Sequence, residues 1–141
     1  MGYRSTIMFG VEQSHAPKLD EILKEYEMTP DEKELVVYPD YKMVNSRHGD
    51  FLKWERKGNI KMVIYKLEYQ KWYDDYDDVR AVTKYLKGLA YTLDEDDNVV
   101  EADDYDTTFL VGLGEEGEIH SAIADWWQYV DHISKLEIQD I

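Results

Sequence analysis

Between Val63 and Leu86 the apolar period of the chain switches from two to about 3.6. Val63, Tyr65, Leu67 and Tyr69 mark one face of a strand, which Trp72 closes. Tyr76, Val79, Val82 and Leu86 then recur at helical spacing. Asp74 and Asp75 offer N-caps. Asp77 and Asp78 place negative charge in the first turn, where the helix dipole favours it. Lys84 and Lys87 occupy the last turn, and Gly88 ends the helix. A strand that runs straight into an amphipathic helix confines the chain to folds in which helices pack on a sheet.

The rest of the chain fills in that frame. Residues 3–11 read as a central strand, with Ile7, Phe9 and Val11 alternating with the also apolar Met8 and Gly10. Ser14 is a natural N-cap, Pro17 fits a first helical turn, and Leu19, Ile22, Leu23 and Tyr26 carry the periodicity to Glu27. Thr29-Pro30-Asp31-Glu32 has the capping-box form, which predicts one short turn; residues 34–38 then run extended until Pro39-Asp40 ends them. Residues 51–56 and 60–73 read as a hairpin joined at Lys57-Gly58-Asn59. Residues 94–106 read as an acidic surface loop or weak edge hairpin, 107–113 as a strand and 114–117 as a turn. Residues 118–127 are ambiguous: Ile119, Ala122, Ile123 and Trp126 fit a helix, but the segment is short. Residues 128–138 alternate like a strand and would close the sheet.

The order is α+β: a ferredoxin-like β-α-β-β-α-β antiparallel sheet with two helices on one face and an extra C-terminal strand. The 141 residues make one domain, 1–141, without linker or repeat. A chain of this length buries about 68% of its unfolded surface. Leu, Ile, Val and Phe make up about 24% of the residues, above the level at which a highly charged chain stays disordered. There are no cysteines, so disulfides, thiolate nucleophiles and cysteine metal sites are excluded. No apolar run is long enough to span a bilayer, and the first residues lack the layout of a secretory signal, so no membrane contact is expected.

Charge divides the chain. The net charge is −15, yet residues 1–71 hold 12 basic and 12 acidic residues. The whole excess lies in 72–141, densest at Asp94, Asp96, Asp97, Glu101, Asp103, Asp104 and Asp106. Such asymmetry describes surface and partner rather than fold. It opposes direct nucleic-acid binding, which needs Lys and Arg against phosphate.

Several patches carry a resemblance. The opening Met1-Gly2-Tyr3-Arg4-Ser5, the run Gln70-Lys71-Trp72-Tyr73-Asp74-Asp75-Tyr76 leading into residues 79–86, and Phe109-Leu110-Val111-Gly112-Leu113-Gly114-Glu115-Glu116 are similar to a group of small tailed-bacteriophage proteins. The closing strand of that group is matched loosely by residues 129–138. These patches cover about half of the chain; residues 31–48 and 94–106 fall outside the shared pattern. The resemblance implies a phage accessory protein in the cytoplasm of an infected bacterium. It implies no activity.

No catalytic or metal-binding constellation emerges. Asp94, Asp96 and Asn98 stand at positions 1, 3 and 5 of a calcium-type loop, but Val99 replaces the glycine and Tyr105 the final glutamate. A solvated acidic loop is the simpler reading, and no metal or other cofactor is expected. No pair among the 31 carboxylates is set apart as acid and base. His15, His48, His120 and His132 form no zinc spacing, and no serine has a G-x-S-x-G frame. Gly112, Gly114 and Gly117 have phosphate-loop spacing, but Glu115 and Glu116 line it, so a turn is expected. Met1-Gly2 with Thr6 formally fits a myristoylation motif, against which Tyr3 and the strand pattern argue.

The aromatic content is a second partner signal. Trp72, Tyr73, Tyr76, Trp126 and Trp127 are candidates for an aromatic interface, with core filling as the plain alternative. Two functions follow, plus a third. The first is a non-enzymatic binding protein or inhibitor whose acidic C-terminal surface engages a basic surface of a host or phage protein, in its sharpest form by imitating nucleic acid. The second is an enzyme or small-ligand binder with a site built from scattered residues. The third is a self-assembling structural protein. A homodimer is compatible with all three.

Overall fold

The computed structural model describes residues 4–45, 52–96, 98–102, 108–124, 126, 129–132 and 136–138. Its centre is a five-stranded, wholly antiparallel sheet in the order β2-β3-β1-β6-β7. The strands are β1 (Ser5–Glu12), β2 (Glu32–Asn45), β3 (Leu52–Gln70), β6 (Thr108–Gly114) and β7 (Ile119–Ile123). Helix α1 (Ala16–Glu25) joins β1 to β2, and α2 (Asp77–Ala90) follows β3. Two hairpins stand apart from the sheet: β4 (Tyr91–Leu93) with β5 (Val99–Ala102), and β8 (Val130–His132) with β9 (Leu136–Ile138).

The sheet is covered on both faces, which explains the apolar character of β1 on both sides. Ile7, Phe9 and Val11 face the helices with Tyr65, Leu67 and Leu110, packing against Leu19, Leu23, Val79, Val82 and Leu86. The alternate residues Met8, Met62, Ile64, Phe109 and Val111 meet Tyr38, Tyr129, Val130 and Leu136. Each large side chain buried this way is worth about 1.5–3 kcal/mol. Phe9 stacks on Tyr65 at 5.3 Å, and Phe109 stacks on Tyr129 at 5.0 Å. The Tyr38 hydroxyl donates to the Tyr129 carbonyl at 3.2 Å, tying β2 to the C-terminal segment.

Helix α1 is preceded by a 3-10 turn over Gln13–His15, so His15 rather than Ser14 is the cap residue. It ends at Glu25, two residues short of the periodicity. Glu27 has φ 56°, the Met28 N–H reaches the Leu23 carbonyl at 2.8 Å, and Met28 is buried beside Leu23. That is a Schellman ending with glutamate where glycine is usual. Helix α2 begins after Tyr76 instead of Asp74 or Asp75, and passes Gly88 to end at Ala90. Asp77 and Asp78 lie in its first turn as the dipole requires.

Other expectations are corrected, and one ambiguity is resolved. The capping-box residues 29–32 start no helix; β2 begins at Glu32. Pro39-Asp40 does not end β2, because β2 is an edge strand, where proline is tolerated. Lys57-Gly58-Asn59 is no hairpin turn: β3 is continuous from Leu52 to Gln70, pairing with β2 along its length and absorbing an extra residue at a bulge opposite Asp40 and Tyr41. Residues 119–123 form a strand, and β8–β9 lies over the second face of the sheet instead of extending it. The fifth strand is therefore β7.

Candidate functional site

The acidic candidates divide. Asp94 and Asp96 are exposed in the turn of the β4–β5 hairpin. The Asp94 Oδ1 accepts the backbone N–H of Asp96 and of Asn98, both at 2.9 Å, and the Asp94 N–H donates to the Asn98 carbonyl at 3.0 Å. This carboxylate shapes the turn by the local bonding that favours aspartate there. The hairpin is anchored at its base, where the Ala124 N–H donates to the Tyr91 hydroxyl at 2.6 Å. Glu101 lies in β5; Asp97, Asp103, Asp104 and Asp106 fall outside the described residues. Among the described residues no group of three or more His, Asp or Glu is placed to hold a metal ion.

The aromatic candidates also separate. Trp72 is buried in the helix-side core, 6% exposed, and its indole Nε1 has no hydrogen-bond partner among the described residues. It fills the core and offers little surface to a partner. Tyr73 and Tyr76 make an edge-to-face pair at 5.1 Å, with Tyr76 exposed at the start of α2. Trp126 packs half-buried against the second core, whereas Trp72 belongs to the first; Trp127 falls outside the described residues.

A constellation that no motif announced lies at the end of the sheet where β1 begins. His120 is the extra residue of a bulge: Gly112 pairs with Ser121, and Leu113 with Ile119. Its Nε2 lies 2.8 Å from Ser5 Oγ, and its Nδ1 lies 2.8 Å from Ser121 Oγ. Beside Ser5 opens a cleft of ≈ 460 Å³ lined by Arg4, Glu68, Tyr69 and Glu115 among others. The Arg4 N–H donates to Glu115 Oε1 at 2.5 Å, and its guanidinium reaches the Tyr69 carbonyl at 3.4 Å. Tyr69 is 82% exposed with φ 54°, at a bulge of β3 opposite the start of β1. Only glycine at position 112, inside a strand, hints at this in the sequence.

The chemistry of the cluster is limited. A serine nucleophile needs an approachable Oγ and a base oriented by a third group. Ser5 is 4% exposed, and the group on the far side of His120 is a hydroxyl. Neutral imidazole donates from one nitrogen and accepts at the other, and two hydroxyls satisfy both. The pair thus braces β7 to β1. Among the described residues no helix is long and apolar enough to cross a membrane. Comparison of the chain with known protein families, with curated proteins and with solved structures finds no match.

Proposed function

We propose that this chain is a non-enzymatic binding protein that engages a basic surface of another protein through its acidic C-terminal half. The observation that carries this is the placement of Asp94 and Asp96. They stand exposed on a hairpin that, among the described residues, forms a two-stranded sheet of its own and is anchored at its base. Carboxylates held out on such a support bring salt-sensitive affinity and fast association. The similarity of residues 1–5 and 70–86 to tailed-phage proteins supports an accessory role in the cytoplasm of an infected bacterium, with a host or phage protein as partner. Imitation of a phosphate backbone is the sharper form. The strand order β2-β3-β1-β6, with α1 after β1 and α2 after β3, supports a ferredoxin-like unit extended by β7. Leu35 and Val37, 50% and 43% exposed on the edge strand β2, mark where a second copy would add to make a homodimer.

The test is a tagged pull-down from host lysate at about 0.1 M and about 0.5 M salt, where screening differs most. A second bait carries Asp94→Asn, Asp96→Asn, Asp97→Asn, Asp103→Asn and Asp104→Asn. One dominant protein, lost at high salt and lost with the second bait, supports the proposal. A partner that survives both changes moves the interface to the aromatic residues and overturns it.

A small-ligand site is the second reading. Tyr69, exposed and left-handed at the mouth of the cleft, favours it, because strained conformations collect at functional sites. A metabolite screen by thermal shift decides it: a ligand whose stabilisation disappears with Tyr69→Ala would establish the cleft as a binding site.

A further inference from the structure

The neutral first half of the chain conceals a second segregation of charge. Strands β2 and β3 outrun the sheet. β1 pairs with β3 only from Met62 to Gln70, so β3 residues before Met62 have β2 as their sheet neighbour. Ile60 and Tyr38 still pack on the second core, but Lys53 and residues 55–59 are all exposed. Successive residues of a strand face opposite ways, so a run of exposed residues means that neither face is covered. Residues 55–59 are therefore covered on neither face, and the β2–β3 ladder runs on beyond them to Asn45 and Leu52 as a two-stranded arm. From Asn59 to Leu52 it extends about 25 Å.

The arm and its root, 40–45 with 52–61, hold five cations (Lys42, Lys53, Arg56, Lys57, Lys61) against Asp40 and Glu55, a net +3. The remainder of the chain therefore carries a net −18, which the arm's +3 brings to the total of −15. Two of the cations make ion pairs inside the arm, Lys53 with Glu55 at 3.3 Å and Lys57 with Asp40 at 3.5 Å. Pairs this exposed are weak and exchange readily for another anion. Aromatic and basic residues interleave along the ladder: Tyr41 is opposite Arg56, and Met43 is opposite Trp54.

We infer that this arm is a nucleic-acid-binding element that contacts phosphate through its Lys and Arg. The surface is distinct from the acidic hairpin, so the inference goes beyond the function proposed above. A two-stranded ribbon has the width that the major groove of a duplex admits, and aromatics between cations suit stacked bases of a single strand. A protein partner is less well matched. Protein interfaces have an apolar centre, whereas the exposed run here is Glu55, Arg56, Lys57, Gly58 and Asn59. The overall negative charge does not prevent the contact. The Debye length at physiological salt is about 8 Å, so the outer arm lies several screening lengths from the acidic body.

The experiment is fluorescence anisotropy of the full chain with labelled single- and double-stranded DNA and RNA of about 30 nucleotides, a length well above typical binding sites. The salt is raised from about 0.05 M to about 0.2 M. With three phosphates neutralised, affinity falls roughly 20- to 40-fold over that range. The variant Lys53→Gln/Arg56→Gln/Lys57→Gln/Lys61→Gln abolishes binding while circular dichroism and melting temperature stay unchanged. Asp94→Asn/Asp96→Asn, which tests the acidic hairpin, leaves nucleic-acid binding intact or stronger. A preference for single strands would assign the aromatics, and a preference for duplex would assign the groove. No binding of any strand at low salt overturns the inference. So does a self-association, measured by sedimentation, that the arm variant removes while nucleic acid fails to bind; the arm would then serve an acidic protein surface.

Discussion

His120 reaches Ser5 by passing its ring over Gly112. The two residues belong to β7 and β1, with β6 between them, and the imidazole Nε2 lies 2.8 Å from the Ser5 hydroxyl. A methyl group on Gly112 would come within 2.7 Å of the His120 Cε1 and 3.0 Å of the Ile7 Cδ1. Gly112→Ala must therefore push the ring aside or shift Ile7, at a cost of about 1–3 kcal/mol. His120→Ala leaves room and removes only the brace. The expected order of stability is wild type, then His120→Ala, then Gly112→Ala, measured by urea denaturation. Imidazole NMR signals of Gly112→Ala should also lose their dependence on Ser5→Ala. Equal stability of Gly112→Ala and wild type would mean that the ring crosses elsewhere.

Glu27 offers a change in the other direction. Its φ of 56° ends α1 in the left-handed region that favours glycine. Glu27→Gly removes that strain at an exposed position and should stabilise the protein by about 0.5–1 kcal/mol, less the entropy that glycine adds to the unfolded chain. Glu27→Ala, which keeps the strain, should not. A denaturation midpoint that rises for both variants would instead credit the loss of one negative charge.

How far the fold could be read from residues depends on where each signal acts. Helix α2 and strand β1 were legible because their periodicity is local and their burial follows it. The long β2–β3 ladder was not. Pro39 and Gly58 are ordinary chain breakers, yet Pro39 lies on a sheet edge and Gly58 lies beside a bulge. Residues 119–123 carry a helix-compatible pattern because β7 is an edge strand whose Ile123 alone is fully buried. Residues 128–138 alternate as a strand should, but alternation cannot say whether a hairpin joins a sheet or lies across it. The acidic turn was visible as composition, whereas Ser5 and His120 meet across 115 residues with no local sign.

Two of the buried tyrosines, Tyr38 and Tyr65, predict a loss of stability at alkaline pH. Burial pushes the Tyr38 phenol up to about 12, with the Glu34 carboxylate adding to it. The Tyr65 phenol is also raised, first by burial and then by its 2.8 Å hydrogen bond to Asp20 and that carboxylate's charge. In the unfolded chain both ionise near pH 10. Above that pH the unfolded state loses protons that the native state keeps, so stability is full below pH 10 and declines as pH climbs toward 12. Tyr38→Phe should flatten part of that decline in urea titrations, because phenylalanine has no proton to lose in either state. A pH profile identical to wild type would show that Tyr38 ionises freely in the folded protein.

Trp72 carries a buried N–H without a partner among the described residues, so its two truncations should differ sharply. Trp72→Phe keeps an aromatic ring in the core and removes the unsatisfied donor, whose burial costs about 1–3 kcal/mol. The lost volume offsets that relief, and the net change should stay within about 1 kcal/mol. Trp72→Ala opens a cavity beside the helices and should cost about 3–5 kcal/mol. If Trp72→Phe proves as damaging as Trp72→Ala, the indole makes a contact that its packing alone does not supply.

Asp94 lets structure and charge be separated at the acidic hairpin. Its Oδ1 accepts two backbone N–H groups, so Asp94→Ala removes the acceptor together with the charge, and Asp94→Asn removes the charge but retains a carbonyl acceptor. Losing the acceptor should loosen the turn and cost about 1 kcal/mol. Asp94→Asn should leave hydrogen exchange of the Asp96 and Asn98 amides nearly unchanged, and Asp94→Ala should accelerate it severalfold. Partner capture should weaken in both variants if the carboxylate itself meets the basic surface. If capture weakens only in Asp94→Ala, the turn's shape matters and the charge at this position does not. The acidic contact would then have to come from Asp96 and its neighbours.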